Sequence, residues 1–266
     1  MNAWLFDVDG VITDPQAKQV TSPKIIDAII EKLSQKEPVG LITGRSINWL
    51  EERVLHYFRA KAKDNLSYFF VSAEKGGVYG GFDENGNLKL SIDKKLDVPE
   101  DVKKEIENII NKNFSSTVFF DPKKTMATVE VQDGVAIEEL KKIQPRLDQL
   151  IAGILKKSNL QKTFKLQSLR ISTDVEHKTA GKNLAAKRFL DWLNAKRINA
   201  TKFFAFGDDF PDVAMAQELY KNGHDVTFVF VGGKNILKGK YPFQVVITKS
   251  LFTGGVIEFL SQHQST

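Results

Sequence analysis

Short apolar runs alternate with helix-like stretches over residues 1–73 and again after residue 174. The apolar runs fall at residues 3–6, 39–43, 68–73, 203–206 and 226–231. Apolar residues at helical spacing occur in five segments. These segments are the one that begins at Ser22-Pro23, residues 46–58, the one that ends at Leu193, residues 213–220, and the one after Gly254-Gly255. This alternation predicts an α/β fold, in which a Rossmann-like, doubly wound parallel sheet carries helices on both faces.

The alternation of short apolar runs with helical stretches is replaced by a different pattern between residues 80 and 174. The segment DENGN at 83–87 is a hairpin turn signal, and a helix is predicted at 98–113. Strands are predicted at 116–120, 125–131 and around 163–171, and a second helix at 137–157 is expected to kink or start late at Pro145. Helices grouped with hairpins indicate a separate α+β domain. We therefore assign residues 83–173 to an inserted domain and residues 1–82 and 174–266 to the core.

Carboxylates follow two of the predicted strands. Asp7 and Asp9 follow the first apolar run, and GDDFPD, which contains Asp208 and Asp212, follows the run at 203–206. Ligands of open parallel sheets bind outside the carboxyl ends of the strands, where Thr43 also lies. Two unit charges about 4 Å apart repel by about 4 kcal/mol at an effective dielectric near 20, so we expect a cation or a shared proton there.

The composition narrows the choice of cation. The sequence contains no cysteine, which excludes disulfides, a thiolate nucleophile and a cysteine-ligated metal, and its four histidines share no metal-ligand spacing. Oxygen ligands favour hard cations, and Mg²⁺ is the predicted cofactor.

The charge and hydropathy pattern limits the partners. A formal net charge of +5 is spread over scattered lysines rather than concentrated on one basic face, so no nucleic-acid partner is expected. No run of about 18 apolar residues and no basic leader segment occur, so we expect no membrane association and a cytoplasmic location.

Four motifs together resemble those of the haloacid dehalogenase superfamily of Mg²⁺-dependent phosphohydrolases. They are DVDGV at 7–11, LITGR at 41–45, a lysine that opens a helix near 182, and GDDFPD at 207–212. The segment VSAEKGGVYG at 71–80 also resembles the one that precedes the large C2-type cap in the Cof-like, sucrose-phosphatase-like and phosphomannomutase-like branches. The resemblance covers the whole chain and implies that the inserted α+β domain is such a cap.

The resemblance implies roles for the site residues. Asp7 would be the nucleophile that forms an aspartyl-phosphate, and Asp9 the general acid and base. Thr43 would hydrogen-bond a phosphoryl oxygen. The side chains of Asp7 and Asp208 and the carbonyl of Asp9 would bind Mg²⁺, and Asp212 would support the metal or pair with the motif lysine.

The remaining assignments concern the phosphate and the substrate. Lys182 is favoured as the motif lysine, and Lys178, one turn earlier, is the alternative. Gly44 would let its backbone approach the substrate closely, while Arg45 and Lys178 are assigned to substrate binding. The expected partner is a small phosphate ester, with a sugar phosphate preferred, acted on by a monomer or a homodimer.

Two other functions stay open. A phosphomutase would use the same aspartate and metal but return the phosphoryl group to the sugar. A non-catalytic phosphometabolite-binding module would keep the fold alone, although Asp7 and Asp9 would then face a phosphate without neutralisation.

Overall fold

A computed structural model describes residues 1–233, 237 and 239–263, without the side chains of residues 63 and 64. The chain divides into two compact units, residues 1–91 with 181–266 and residues 92–180. No helix within the described residues is long and apolar enough to cross a membrane.

The strands and helices are numbered in chain order. The strands are β1 (Asn2–Asp7), β2 (Val39–Ile42), β3 (Phe69–Ala73), β4 (Val78–Phe82), β5 (Leu88–Ile92), β6 (Val118–Pro122), β7 (Ala127–Val131), β8 (Phe164–Ser168), β9 (Ser172–His177), β10 (Lys202–Gly207), β11 (Asp225–Phe230) and β12 (Gln244–Ile247). The helices are α1 (Pro23–Ser34), α2 (Ile47–Leu50), α3 (His56–Ala62), α4 (Glu100–Asn113), α5 (Ile137–Lys157), α6 (Lys182–Ala195), α7 (Val213–Lys221) and α8 (Phe252–Ser261). A π-helical stretch, Glu51–Leu55, joins α2 to α3.

The large unit is built on an eight-stranded sheet of order β12-β11-β10-β1-β2-β3-β4-β5. Six of these strands are parallel, and β4 pairs with β3 in the antiparallel direction. Residues of α1, α3 and α8 cover one face, and residues of α6 and α7 cover the other. The predicted α/β class and the Rossmann-like sheet with helices on both faces are therefore confirmed.

The central strand β1 is apolar because it is buried on both faces. It lies between β2 and β10, and Ala3 to Phe6 have no exposed surface. Trp4 stacks on Phe204 at a ring-centroid distance of 4.4 Å, and Phe6 stacks on Phe206 at 4.5 Å. Parallel strands covered on both sides read as continuous apolar runs, which is why the sequence pattern identified this strand.

The small unit packs α4 and α5 on one face of a four-stranded antiparallel sheet of order β6-β7-β9-β8. Its core includes Val102 and Ile106 of α4 and Leu147 and Ile151 of α5. The helix α5 begins at Ile137 and continues through Pro145, so Pro145 is internal rather than a late start.

The structure corrects the predicted boundaries of the inserted domain. The small unit runs from residue 92 to 180, later at both ends than the predicted 83–173. It begins later because β4 and β5, the hairpin around 83–87, extend the large sheet. It ends later because β9 continues to His177 within the small sheet.

Two further elements differ from the sequence prediction. The strand β12 was not predicted, and its four residues are only partly buried or exposed. The last helix begins at Phe252 and so contains Gly254 and Gly255. Gly255 is small for a packing reason, since a Cβ there would lie 2.4 Å from Thr248 Oγ1.

Candidate active site

The candidate site lies at the carboxyl edge of the large sheet. Asp7 ends β1 and is paired in register with Ile42, the last residue of β2. Asp208 directly follows β10, whose Phe206 pairs with Phe6 of β1. The three neighbouring strands therefore bring Asp7, Thr43 and Asp208 to one edge.

A cluster of three carboxylates, Asp7, Asp208 and Asp212, surrounds one lysine. One oxygen from each carboxylate lies within 4.8 Å of the others. Lys182 Nζ donates a hydrogen bond to Asp7 Oδ1 and lies 3.2 Å from Asp212 Oδ1. It also donates to the carbonyl of Ile42 at 3.2 Å. Lys182 is the first residue of α6, so the helix start fixes its position in the cluster.

Burial and mutual repulsion shift the pKa values in this cluster. Burial, followed by the charge of Asp212, raises the pKa of Asp7 well above its usual range, while Lys182 opposes the shift. The same two causes raise the pKa of Asp208 to about 7. Burial by itself would lower the pKa of Lys182, but Asp212 and Asp7 outweigh it and raise the pKa. The cluster thus contains more negative charge than its one lysine neutralises.

The GDDFPD turn holds two of the carboxylates by backbone hydrogen bonds. Asp212 Oδ2 accepts from the N–H groups of Asp208 and Asp209, each at 3.1 Å. Asp209 in turn caps the short turn that contains Phe210, Pro211 and Asp212. These reciprocal bonds position Asp208 and Asp212.

Two glycines allow the carboxylates to approach the backbone. A Cβ at Gly10, whose φ is +74°, would lie 2.2 Å from Asp208 Oδ2, and a Cβ at Gly207 would lie 2.2 Å from Asp212 Cβ. Neither glycine was among the predicted site residues. The signal for both was the glycine beside each acidic motif, which marks a close backbone approach.

A second group joins Asp9 to the loop after β2. Arg45 donates from Nη2 to Asp9 Oδ1 at 3.0 Å and from Nε to Oδ1 and Oδ2 at 3.1 and 3.3 Å. The guanidinium also lies 4.9 Å from the ring centroid of Trp49. The Arg45 N–H donates to Thr43 Oγ1 at 3.0 Å, so Thr43 and Asp9 are held by the same residue.

The structure separates the two candidate lysines. Lys182 contacts Asp7, whereas Lys178 is exposed, belongs to the small unit and donates its backbone N–H to Thr163. Gly44 follows Thr43 and has the side chain of Lys75 beside it, because a Cβ there would lie 3.4 Å from Lys75 Cε. Lys75 was not among the predicted site residues.

The donor set has the chemistry that a hard divalent cation requires. Three carboxylates converge, they supply only oxygen atoms, and burial followed by the charge of Asp212 raises the pKa values of Asp7 and Asp208. A cation bound there would relieve the repulsion, as expected for Mg²⁺ held by carboxylates.

Comparisons with known proteins establish the fold. No protein-family model matches the sequence, and no curated protein matches it either. Among solved structures, trehalose-6-phosphate phosphatase from Aspergillus fumigatus is 18% identical over 98% of this chain and 91% of its own, with a TM-score of 0.57. The C-terminal domain of C. albicans trehalose-6-phosphate phosphatase is 17% identical over 99% and 93%, with a TM-score of 0.67. IMP-nucleotidase from Plasmodium falciparum is 15% identical over 78% of this chain and 53% of its own, with a TM-score of 0.51.

Proposed function

We propose that this protein is a Mg²⁺-dependent phosphatase of the haloacid dehalogenase type, which hydrolyses a small phosphate monoester through an aspartyl-phosphate on Asp7. One observation carries the proposal. Asp7 is a buried carboxylate that contacts Lys182 and lies among Asp208 and Asp212 at the carboxyl edge of the sheet. The shared fold with solved phosphatases supports the same function.

In the first step, an oxygen of Asp7 attacks phosphorus and the bond from phosphorus to the leaving oxygen breaks. The leaving oxygen takes a proton from Asp9, so the product is a neutral alcohol. In the second step, water attacks the phosphorus of the aspartyl-phosphate and gives its proton back to Asp9. The bond between phosphorus and Asp7 breaks, and inorganic phosphate leaves.

The surrounding residues orient these groups. Arg45 holds both oxygens of Asp9, which fixes the carboxyl group while its proton is transferred. Thr43 Oγ1 accepts the N–H of Arg45, so its own hydroxyl proton is available for a phosphoryl oxygen. Lys182 balances part of the charge of Asp7 and of the transferred phosphoryl group.

Asp7 and Asp208, with the Asp9 carbonyl, would hold Mg²⁺, and Asp212 would support them through its bonds to the 208–209 backbone. When bound, the ion offsets negative charge on the phosphoryl oxygens. The fold keeps these oxygen atoms close together before the ion binds.

A sugar phosphate is the substrate class that the comparisons favour. Two of the similar structures are trehalose-6-phosphate phosphatases that match over 91% and 93% of their own length, whereas the IMP-nucleotidase matches span 53% of that protein and 68% of its N-terminally truncated form. We therefore expect turnover of trehalose 6-phosphate or a hexose phosphate to exceed that of IMP.

The test is phosphate release from these esters, with an aryl phosphate as a general substrate, in Mg²⁺ or EDTA. Asp7→Asn removes the nucleophile and should lower the rate by a factor of about 10³ or more, since losing a covalent step costs several kcal/mol. Asp14→Asn is the matched control, because Asp14 follows the same strand but caps a turn at Gln16 and Ala17.

Three results would contradict the proposal. Turnover that survives Asp7→Asn would exclude the aspartyl-phosphate. Turnover that is equal in EDTA would exclude the metal. Conversion of a sugar phosphate to its isomer without phosphate release would indicate a mutase.

A further inference from the structure

Three consecutive residues between β3 and β4 have positive φ. They are Glu74 at 52°, Lys75 at 54° and Gly76 at 97°. Glycine adopts this left-handed region readily, whereas residues with a Cβ seldom do. Adjacent non-glycine residues in this region persist only where their surroundings hold them, and such outliers concentrate at functional sites.

Backbone hydrogen bonds tie Lys75 to both sides of the candidate site. Its N–H donates to the carbonyl of Thr43 at 3.0 Å, and its carbonyl accepts from the N–H of Gly181 at 2.9 Å. The preceding Glu74 donates to the carbonyl of Arg45, also at 3.0 Å. Lys75 is therefore fixed between the loop that follows β2 and the residue that precedes Lys182.

The side chain of Lys75 crosses Gly44. A Cβ at Gly44 would lie 3.4 Å from Lys75 Cε and 3.7 Å from Lys75 Cγ, so the aliphatic stem occupies the space beside this glycine. Gly44 follows Thr43, whose hydroxyl is proposed to hold a phosphoryl oxygen. The left-handed backbone thus directs a lysine along the loop where the phosphoryl group would bind.

The charge balance of the site explains why another cation is useful there. The site brings four carboxylates, those of Asp7, Asp9, Asp208 and Asp212, together with the cationic side chains of Arg45 and Lys182. Arg45 is paired with Asp9, and Lys182 contacts Asp7 and Asp212. A phosphate monoester would add nearly two further negative charges at pH 7.

We propose that Lys75 is a binding residue that contacts the phosphoryl group of the substrate through Nζ, and that its left-handed backbone conformation serves this placement. The inference rests on the proposed function, because it names a further residue of the same site. It adds a lysine from the β3–β4 segment to the groups assigned from the four motifs.

The kinetic test uses Lys75→Met, which keeps an aliphatic stem but removes the charge. We expect KM to rise by about tenfold and kcat to stay within about threefold, with inhibition by inorganic phosphate weakened by about tenfold. Lys75→Arg should restore KM to within about threefold of wild type, because the cation is retained. A purely structural lysine would give the same KM and the same phosphate inhibition in all three proteins, which would overturn the inference.

Lys36→Met is the matched control. Lys36 also has a positive φ, of 59°, but it is exposed and precedes β2 at the opposite end of that strand. The control should therefore leave KM and phosphate inhibition unchanged. An equal rise of KM in both variants would mean that losing any surface lysine has this effect, and it would overturn the assignment to Lys75.

A binding measurement separates this inference from the proposed function. Inorganic phosphate should raise the unfolding temperature of the wild-type protein in Mg²⁺, and the shift should be lost in Lys75→Met but retained in Lys36→Met. If the wild type hydrolyses no ester but shows this pattern, the hydrolase proposal fails and Lys75 remains a phosphate-binding residue. If phosphate stabilises neither protein, or stabilises wild type and Lys75→Met equally, the inference fails whatever the turnover.

Discussion

The two charged groups of the site differ in balance. Around Lys182, three carboxylates share one lysine, and the Asp7 side chain is 9% exposed. Around Arg45, one carboxylate meets one guanidinium through several hydrogen bonds, and the Asp9 side chain is 38% exposed. The first group has more carboxylates than cations, whereas the charges of the second group are matched.

The difference in charge balance shows how one site can hold carboxylates that lack a matching cation beside a carboxylate that is paired with one. A buried, under-neutralised cluster raises pKa values and favours a bound cation. A balanced pair in which Asp9 remains partly exposed mainly fixes the orientation of Asp9, since access of water to an ion pair limits its contribution to stability. Changes to the first group should therefore affect both stability and activity, and changes to the second mainly activity.

The largest effect is expected for Lys182→Met. This change leaves three carboxylates without their lysine, and removing one member of a buried ionic group costs about 3 to 5 kcal/mol. Urea unfolding in EDTA at pH 8 should show that loss, and turnover should fall by about 10³-fold or more because the phosphoryl charge is also less balanced. An unchanged free energy of unfolding would contradict the proposed difference between the Lys182 group and the Arg45 group.

Lys187→Met provides the control on the same helix. Lys187 is half exposed and pairs with Asp191 one turn along α6. Its loss should cost no more than about 0.5 kcal/mol, which is typical of such surface pairs. A loss equal to that of Lys182→Met would point to a general effect of removing charge from α6.

The second-largest effect concerns how the free energy of unfolding of the metal-free protein depends on pH. Burial raises the pKa of Asp208 from the ordinary aspartate value of 3.8 to about 7 in the folded protein, so the folded state binds the extra proton between those pH values. Its contribution to the free energy of unfolding is therefore present below pH 4 and is lost as the pH rises through 7. The pKa of Asp7 is shifted in the same direction.

Asp208→Asn should remove this dependence. In EDTA the variant should be more stable than wild type above pH 7, by about 2 to 4 kcal/mol, and the advantage should vanish near pH 4. Added Mg²⁺ should stabilise wild type more than the variant. Parallel stability curves for the two proteins from pH 4 to 8 would show that Asp208 is not under-neutralised.

The smallest effect is expected for Arg45→Gln. Losing the bonds that orient Asp9 should lower kcat by about tenfold, within the range of a positioned acid or base, while the free energy of unfolding changes by about 1 kcal/mol or less. Arg59→Gln removes a comparable pair with Glu51 outside the site and should leave kcat unchanged. Equal kcat values for Arg45→Gln and wild type would remove the distinction between the two groups.

Strands could be predicted from the sequence where consecutive residues are buried on both faces of the sheet. The runs that became β1, β2, β3, β10 and β11 are buried on both faces, so they were recognisable without neighbours. The strand β12 was missed because its residues are exposed or only half-buried, and the antiparallel pairing of β4 required knowledge of its partner.

The candidate site was also predictable only in part. Asp7, Thr43 and Asp208 stand at the ends of predicted strands, and the resemblance of their motifs and that of Asp212 to a known superfamily supplied the predicted roles. The choice between Lys178 and Lys182 required coordinates, because both precede or open α6 and only Lys182 reaches Asp7. The position of Lys75 depends on φ values and on bonds to residues 43 and 181, which are distant in sequence.

The place of β1 at the centre of the sheet has a consequence for biosynthesis. Its apolar residues are made before the other strands of the sheet, and one of its two flanking strands, β10, is made only after the whole small unit. Until residues 202–207 follow, one edge of β1 has no native partner, and long-range parallel pairing of this kind closes slowly. The nascent chain should therefore depend on protection from chaperones in the interval between the synthesis of β1 and that of β10.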